Sequence, residues 1–199
     1  QILKKLFRFV NNFFSFMIYL IRDGVVMDIF RPDIYKQSIY HIDFLELKTH
    51  GIKCILFDLD NTLVPIDVVL PDKRLLDFFM YLEDLGFKVI ILSNSSKKRV
   101  QPFKEKCNVD SSFHSRKPLK AKYLKILELY HYKDTEIACI GDQLITDILG
   151  ANRMGFTSIL VNPISSKEKF GTKINRAIEK IIYKYLKKRG LLEKGVYYD

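Results

Sequence analysis

No two cysteines in this sequence stand at a metal-ligand or redox spacing. Cys54, Cys107 and Cys139 are far apart and odd in number, which argues against structural zinc and for a reduced, cytosolic compartment. Cys54 and Cys139 lie in apolar runs and read as small core residues. His41, His50, His114 and His131 form no recognisable ligand set. A bilayer-spanning run is also missing. Residues 6–21 are apolar but broken by Arg8, Asn11, Asn12 and Ser15, and they fall short of the roughly 20 residues a span needs. Arg22-Asp23-Gly24 follows, not a small-residue cleavage site, which argues against a signal peptide. Internal repeats, low-complexity segments and interdomain linkers are absent. So is any recognisable nucleic-acid-binding motif, and no nucleic-acid partner is expected.

The 199 residues are enough for one well-buried domain and short for two. The net charge of +10 is concentrated at the ends. Residues 1–22 hold Lys4, Lys5, Arg8 and Arg22 with no acid; residues 167–194 hold ten Lys/Arg against Glu168, Glu179 and Glu193; residues 23–166 are neutral. Such ends suit an anionic partner or solubility. On a helical wheel Leu6, Phe9, Val10, Phe13, Met17 and Leu20 share a face opposite Arg8, Asn12, Ser15 and Arg22. Residues 1–28 are therefore expected to be an amphipathic segment, lying in a membrane interface or packed on protein.

From Gly51 onward, short apolar runs alternate with helical patterns. Strands are expected at 52–57, 88–92, 111–114, 136–140 and 157–161, and helices at 72–85, 96–106, 119–131 and 144–153. Strand–helix alternation with continuously apolar strands predicts an α/β fold: a Rossmann-like parallel sheet of about five strands, covered by helices on both faces. Ligands of such sheets bind at the carboxyl ends of the strands. There the sequence places Asp58, Asp60 and Thr62 after the first strand, and Ser93, Asn94 and Ser95 after the second. Lys117 follows the third, Asp142 the fourth, and Asp147 lies in the next helix.

Carboxylates on one edge without His or Cys call for a hard cation, and Mg²⁺ is the natural occupant beside a phosphate. Lys117, Ser93 and the loop amides after Asp58 and Ser93 suit phosphate oxygens. Such a set performs phosphoryl transfer by positioning and charge neutralisation, with an aspartate able to act as nucleophile and a second as proton donor.

DLDNT (58–62), SN (93–94), KP (117–118) and GDxxxxD (141–147), in this order and each after a strand, resemble the haloacid dehalogenase (HAD) superfamily of phosphatases. The resemblance implies Asp58 as nucleophile and Asp60 as general acid/base. It implies Mg²⁺ on Asp58, Asp60 through its carbonyl, and Asp142, with Asp147 supporting the metal. Ser93, Asn94 and Lys117 would hold the phosphoryl group.

Asp60 and Ser93 are 33 positions apart, and Ser93 and Lys117 are 24 apart. Neither interval can hold a cap domain, so a capless, open site is expected, suited to a substrate with a bulky body. The stretches FRPDIYKQSIYHID (30–43), GIKCILFDLDNTLVP (51–65), SNSSKKRVQPF (93–103), GDQLITDILGANRMGF (141–156) and TKINRAIEK (172–180) are similar to the YqeG-type branch of the superfamily. That branch is related to phosphatidylglycerophosphate phosphatases. The resemblance covers roughly 30–195 and implies dephosphorylation of phosphatidylglycerophosphate to phosphatidylglycerol. The alternative is a soluble phosphatase for nucleotide, sugar or protein phosphates. Residues 29–199 are then a HAD domain that ends in a basic amphipathic helix, 172–189. In that helix Ile174, Ile178, Ile181, Ile182 and Tyr185 share a face, and Lys173, Arg176, Lys180, Lys184 and Lys187 occupy the rest. These lysines would meet lipid headgroups, in a cytoplasmic protein with peripheral contact at the inner membrane face.

Overall fold

A computed structural model describes residues 26–199; the amphipathic segment expected before them lies outside the described residues up to position 25. Six parallel strands form one open sheet in the order β1-β6-β5-β2-β3-β4. They are β1 (Ile34–Lys36), β2 (Cys54–Phe57), β3 (Lys88–Leu92), β4 (Asp110–Ser112), β5 (Ile137–Gly141) and β6 (Thr157–Val161). The helices are α1 (Phe44–Thr49), α2 (Lys73–Asp84), α3 (Lys97–Cys107), α4 (Ala121–Tyr130), α5 (Leu149–Met154) and α6 (Phe170–Lys188). A π-helical turn, Leu144–Ile148, leads into α5.

The five expected strands are all present. The sixth, β1, is an edge strand of three residues beside β6, behind Pro32 and too short to show an alternating pattern. Its single buried residue, Tyr35, is fully enclosed. Helix α1 was also unforeseen; Asp43 caps it by accepting from the Glu46 amide at 2.9 Å.

Strand alternation divides the core. Ile55, Phe57, Val89 and Ile91 point to one face with Phe44 of α1, Phe78 and Phe79 of α2, and Phe103 of α3. Cys54, Leu56, Ile90, Leu92 and Cys139 point to the other with Tyr123 and Ile126 of α4 and Ala151 of α5. Beside them Ile182 and Leu186 of α6 pack on Met27, Phe30, Ile148 and Leu160. Both faces are covered, so β2, β3 and β5 are apolar throughout. On α6 the inward stripe is Ile178, Ile182 and Leu186. Ile181, expected on that face, is 56% exposed, because the buried stripe advances by four residues and passes one position beyond it.

The chain leaves β2 toward β3 and β4 on one side and returns to β5 and β6 on the other. The switch point is therefore the carboxyl end of β2 and β5, where Asp58 and Asp142 stand. Below it the packing is tight. A Cβ on Gly150 would lie 2.3 Å from the Tyr123 hydroxyl. Gly150→Ala is expected to destabilise by about 1–3 kcal/mol through overpacking, read as a lower urea midpoint; an unchanged midpoint would contradict the packing described.

Candidate active site

The sequence DLDNT turns out of the central strand with a separate physical reason for each residue. Asp58 ends β2, with its amide donating to the Ile140 carbonyl of β5 at 2.9 Å. Leu59 returns to the core, fully buried. Asn61 takes a left-handed conformation, φ 66°, which Asn tolerates better than most residues. The Thr62 hydroxyl donates to Asp142 Oδ1 at 3.3 Å, joining this loop to the one after β5.

Lys117 is the centre of the site. It is 5% exposed, and its ammonium donates to Asp58 Oδ1 at 2.7 Å and Asp147 Oδ1 at 2.6 Å. Burial alone would depress an ammonium, but Asp147 and Asp58 outweigh it and hold Lys117 protonated above the usual lysine range. Burial pushes the Asp58 carboxyl up to about 6 even with Lys117 beside it. Asn94 braces the lysine's backbone: its carbonyl accepts from the Lys117 amide at 2.7 Å, and its amide donates to the Lys117 carbonyl at 3.3 Å. Both ends of the Asn94 side chain thus hold the loop that carries Lys117. Ser93 is 1% exposed, and its hydroxyl accepts from the Ser95 amide at 3.1 Å.

Asp147 is completely buried, with one oxygen on Lys117 and the other accepting from the Gln143 amide at 3.1 Å. Protein donors thus reach both of its oxygens, as Thr62 and Arg176 reach both of Asp142. The approach needs glycine at 141, where a Cβ would lie 2.2 Å from the Asp147 carboxylate carbon.

Asp60, one residue beyond Leu59, is separated from this pair. Ser95 Oγ donates to it at 2.6 Å, Arg99 Nε at 2.8 Å, and the Lys169 ammonium joins them. Burial favours the neutral acid, but the hydrogen bonds from Lys169, Ser95 and Arg99 prevail and hold its pKa below the ordinary value. Arg99 also donates to the Pro65 and Val68 carbonyls, so it ties the loop after β2 to α3. Neither Arg99 nor Lys169 is picked out by the motif spacing. Arg176 is the third cation that the motifs miss. Expected to face headgroups, it instead turns inward to Asp142, Glu168 and Glu179, and its Nη1 donates to the Asp142 carbonyl at 2.7 Å. Glu179 in turn accepts from the Ile145 amide at 3.1 Å. Burial raises both the Asp142 and the Glu179 carboxyls, and Arg176 partly offsets it.

Of these groups, Asp58, Asp60, Ser93, Asn94, Lys117 and Lys169 line a cleft of about 530 Å³. Ile66, Ile145, Ile174 and Ile178 give it apolar walls.

Two outcomes follow from this electrostatic arrangement. Lys117→Met strands two buried carboxylates and should cost about 3–5 kcal/mol in chelator-treated protein; a loss below ~1 kcal/mol by urea unfolding would contradict the pairing. The Asp58 pKa is raised from 3.8 to about 6, so the folded state keeps a proton that the unfolded state has already lost. Stability linked to Asp58 is full below 3.8 and is lost as pH rises to about 6. In chelator, Asp58→Asn should therefore gain on the wild type by roughly 2 kcal/mol across that window. A pH-independent difference would contradict it.

Residues 114–173 match the HAD-hydrolase-like family model. The chain is 37% identical to the Bacillus subtilis (strain 168) protein named "Probable phosphatase YqeG", over 82% of this chain and 95% of that one. It is 26% identical to the chloroplastic phosphatidylglycerophosphate phosphatase 1 of Chlamydomonas reinhardtii, over 74% of this chain and 59% of that one. It is 24% identical to the chloroplastic/mitochondrial enzyme of that name from Arabidopsis thaliana, over 80% and 49%. Among solved structures, the cobalt-bound form of the deoxy-D-mannose-octulosonate 8-phosphate phosphatase (YrbI) from Haemophilus influenzae is similar over 74% of this chain and 96% of that one, at 14% identity and TM-score 0.49. With the four motifs gathered at one sheet edge and a relative matched over nearly its whole length, the chain belongs to the YqeG-type branch of the haloacid dehalogenase superfamily of phosphatases.

Proposed function

We propose that the chain hydrolyses a phosphomonoester through an aspartyl-phosphate on Asp58, and that its substrate is phosphatidylglycerophosphate. The observation that carries the chemistry is the buried Lys117 between Asp58 and Asp147, at the mouth of the central strand. The ammonium orients the Asp58 carboxylate through Oδ1 and leaves Oδ2 as the attacking oxygen. Attack forms an O–P bond from Asp58 and breaks the bond to the leaving alkoxide, with Lys117 and the Ser93 hydroxyl beside the phosphoryl oxygens. Asp60 delivers a proton to the leaving oxygen and later takes one from the water that cleaves the acyl phosphate, regenerating Asp58 and releasing phosphate. Held ionised by Lys169, Ser95 and Arg99, it has first to give up its contacts with Lys169 and Ser95 and take a proton from solvent, which it then passes to the leaving oxygen. Asp147 acts by fixing Lys117.

The donor set fits Mg²⁺. Asp58 and Asp142 are oxygen ligands, buried together and both pushed up by burial, which a hard dication would relieve. Among the described residues no three His, Cys, Asp or Glu side chains gather around one point. The ion would therefore rest on these two carboxylates and the Asp60 carbonyl, with water completing its shell. When bound it supplies neutralisation of charge on the phosphoryl oxygens. Thr62 and Arg176 hold the Asp142 carboxylate in place.

The lipid reading draws on the open cleft, its isoleucine walls and the likeness to two proteins named as phosphatidylglycerophosphate phosphatases. No helix among the described residues is long and apolar enough to cross a membrane. The test is phosphate release from phosphatidylglycerophosphate in mixed micelles against a panel of soluble phosphomonoesters, with and without Mg²⁺. Metal-dependent turnover with the lipid preferred is expected; preference for a soluble ester would overturn the substrate reading. Asp58→Asn should lower turnover of every substrate by at least about 10⁴-fold, the scale seen when a nucleophile is removed. Retained turnover would remove Asp58 from its role.

A further inference from the structure

The neutral total of residues 23–166 hides a charge separation across the sheet. Asp33, Asp84, Asp134 and Glu136 lead into β1, β3 and β5 at the amino edge, alongside Lys53 and Lys133. The carboxyl edge, where the cleft opens, is different. The segments after β2, β3, β4 and β6 (residues 58–72, 93–99, 113–120 and 162–169) contain eight Lys/Arg and five acids, Asp58, Asp60, Asp67, Asp72 and Glu168; Asp58 and Asp60 are taken by Lys117, Arg99 and Lys169, and Asp142 and Asp147 after β5 are buried. Asp67 is paired with Lys167 and Glu168 with Arg176. Lys97, Lys98, Arg116 and Lys120 are exposed. The N-termini of α2, α3, α4 and α6 lie at this same edge and add positive potential.

The same rim exposes large apolar side chains. Val69 and Leu70, at the tip of the loop after β2, are 69% and 51% exposed, and Leu119 after β4 is 53% exposed. They flank the cleft, since Ile66 and Pro118 line it and Ser96, next to Lys97, lines it too. Arg99 grips the carbonyls of Pro65 and Val68, which anchors the backbone just before the exposed Val69-Leu70 tip. Apolar side chains projecting from a basic ring suit an interface in which hydrocarbon lies under anionic headgroups. A nucleic acid would gain nothing from the apolar tip.

We propose that this rim is the surface by which the protein docks on an anionic phospholipid membrane. Val69, Leu70 and Leu119 enter the interface, Lys97, Lys98, Arg116 and Lys120 meet the headgroups, and the cleft faces the leaflet. The proposal rests on the lipid reading of the site and adds to it the orientation of the molecule. It gives docking to the rim of the cleft and not to the lysines of α6, whose inner face is packed on the core.

The test uses the full chain and two variants, Lys97→Glu/Lys98→Glu and Val69→Ser/Leu70→Ser. Co-sedimentation is measured with phosphatidylcholine vesicles made with and without phosphatidylglycerol. Turnover of p-nitrophenyl phosphate and the melting temperature monitor the site and the fold. Each variant should lose about tenfold or more in partition onto the anionic vesicles, in line with the contribution of a basic residue near a charged leaflet. Soluble-ester turnover and melting temperature should stay unchanged. Wild-type partition in both variants would overturn the proposal. So would variants that differ only in oligomeric state, because the rim would then belong to a second copy of the chain. If the rim variants lose vesicle binding while the wild type ignores phosphatidylglycerophosphate, the substrate reading alone fails. If the lipid is hydrolysed and the rim variants bind normally, the docking surface alone fails.

Discussion

A single buried ammonium lets this sheet carry acids at its centre. Asp58 and Asp147 are almost without solvent, and neither carboxylate could remain ionised there alone. Lys117 reaches both within 2.7 Å. The surrounding structure serves to deliver that lysine. Asn94 clamps its backbone, Gly141 leaves room for the Asp147 carboxylate, and the parallel topology places β2, β4 and β5 so that their loops converge. A different arrangement of strands would leave the same residues scattered.

A second layer of cations surrounds the first and was not visible beforehand. Arg176 joins α6 to Asp142, and Arg99 with Lys169 encloses Asp60. The four catalytic motifs were legible because each follows a strand whose apolar run is unmistakable, and strand ends in a parallel sheet share one edge. Arg99, Lys169 and Arg176 lie inside helices or loops rich in lysine and arginine, where nothing local distinguishes an inward guanidinium from a solvated one. Only the register of α6 turns Arg176 in and Ile181 out. The short β1 escaped for a related reason: three residues with one buried side chain carry no period. Asp147 was legible as part of the site, but its hydrogen bond to Lys117 was not, because spacing alone does not say which side chain a buried carboxylate meets.

Charge is distributed by the same topology. Among the described residues, the N-termini of α2, α3, α4 and α6 and the loops that precede them fall on the edge where the cleft opens, so their positive ends add to the basic side chains there. The net charge of the sequence says little about this, since the acids of the site and of the amino edge offset the bases of residues 23–166 in the sum. The cleft is open with apolar walls, and no cap is inserted between Asp60 and Lys117.

The central claim is that Asp58, held by Lys117, is the atom-transferring residue of the site. It is tested most directly by quenching the turning-over enzyme in acid, reducing any acyl phosphate with borohydride and mapping the product by peptide mass spectrometry. Conversion of Asp58, and no other acid, to homoserine is predicted. Label on Asp60, Asp142 or Asp147, or turnover with no reducible acyl phosphate at all, would contradict the account.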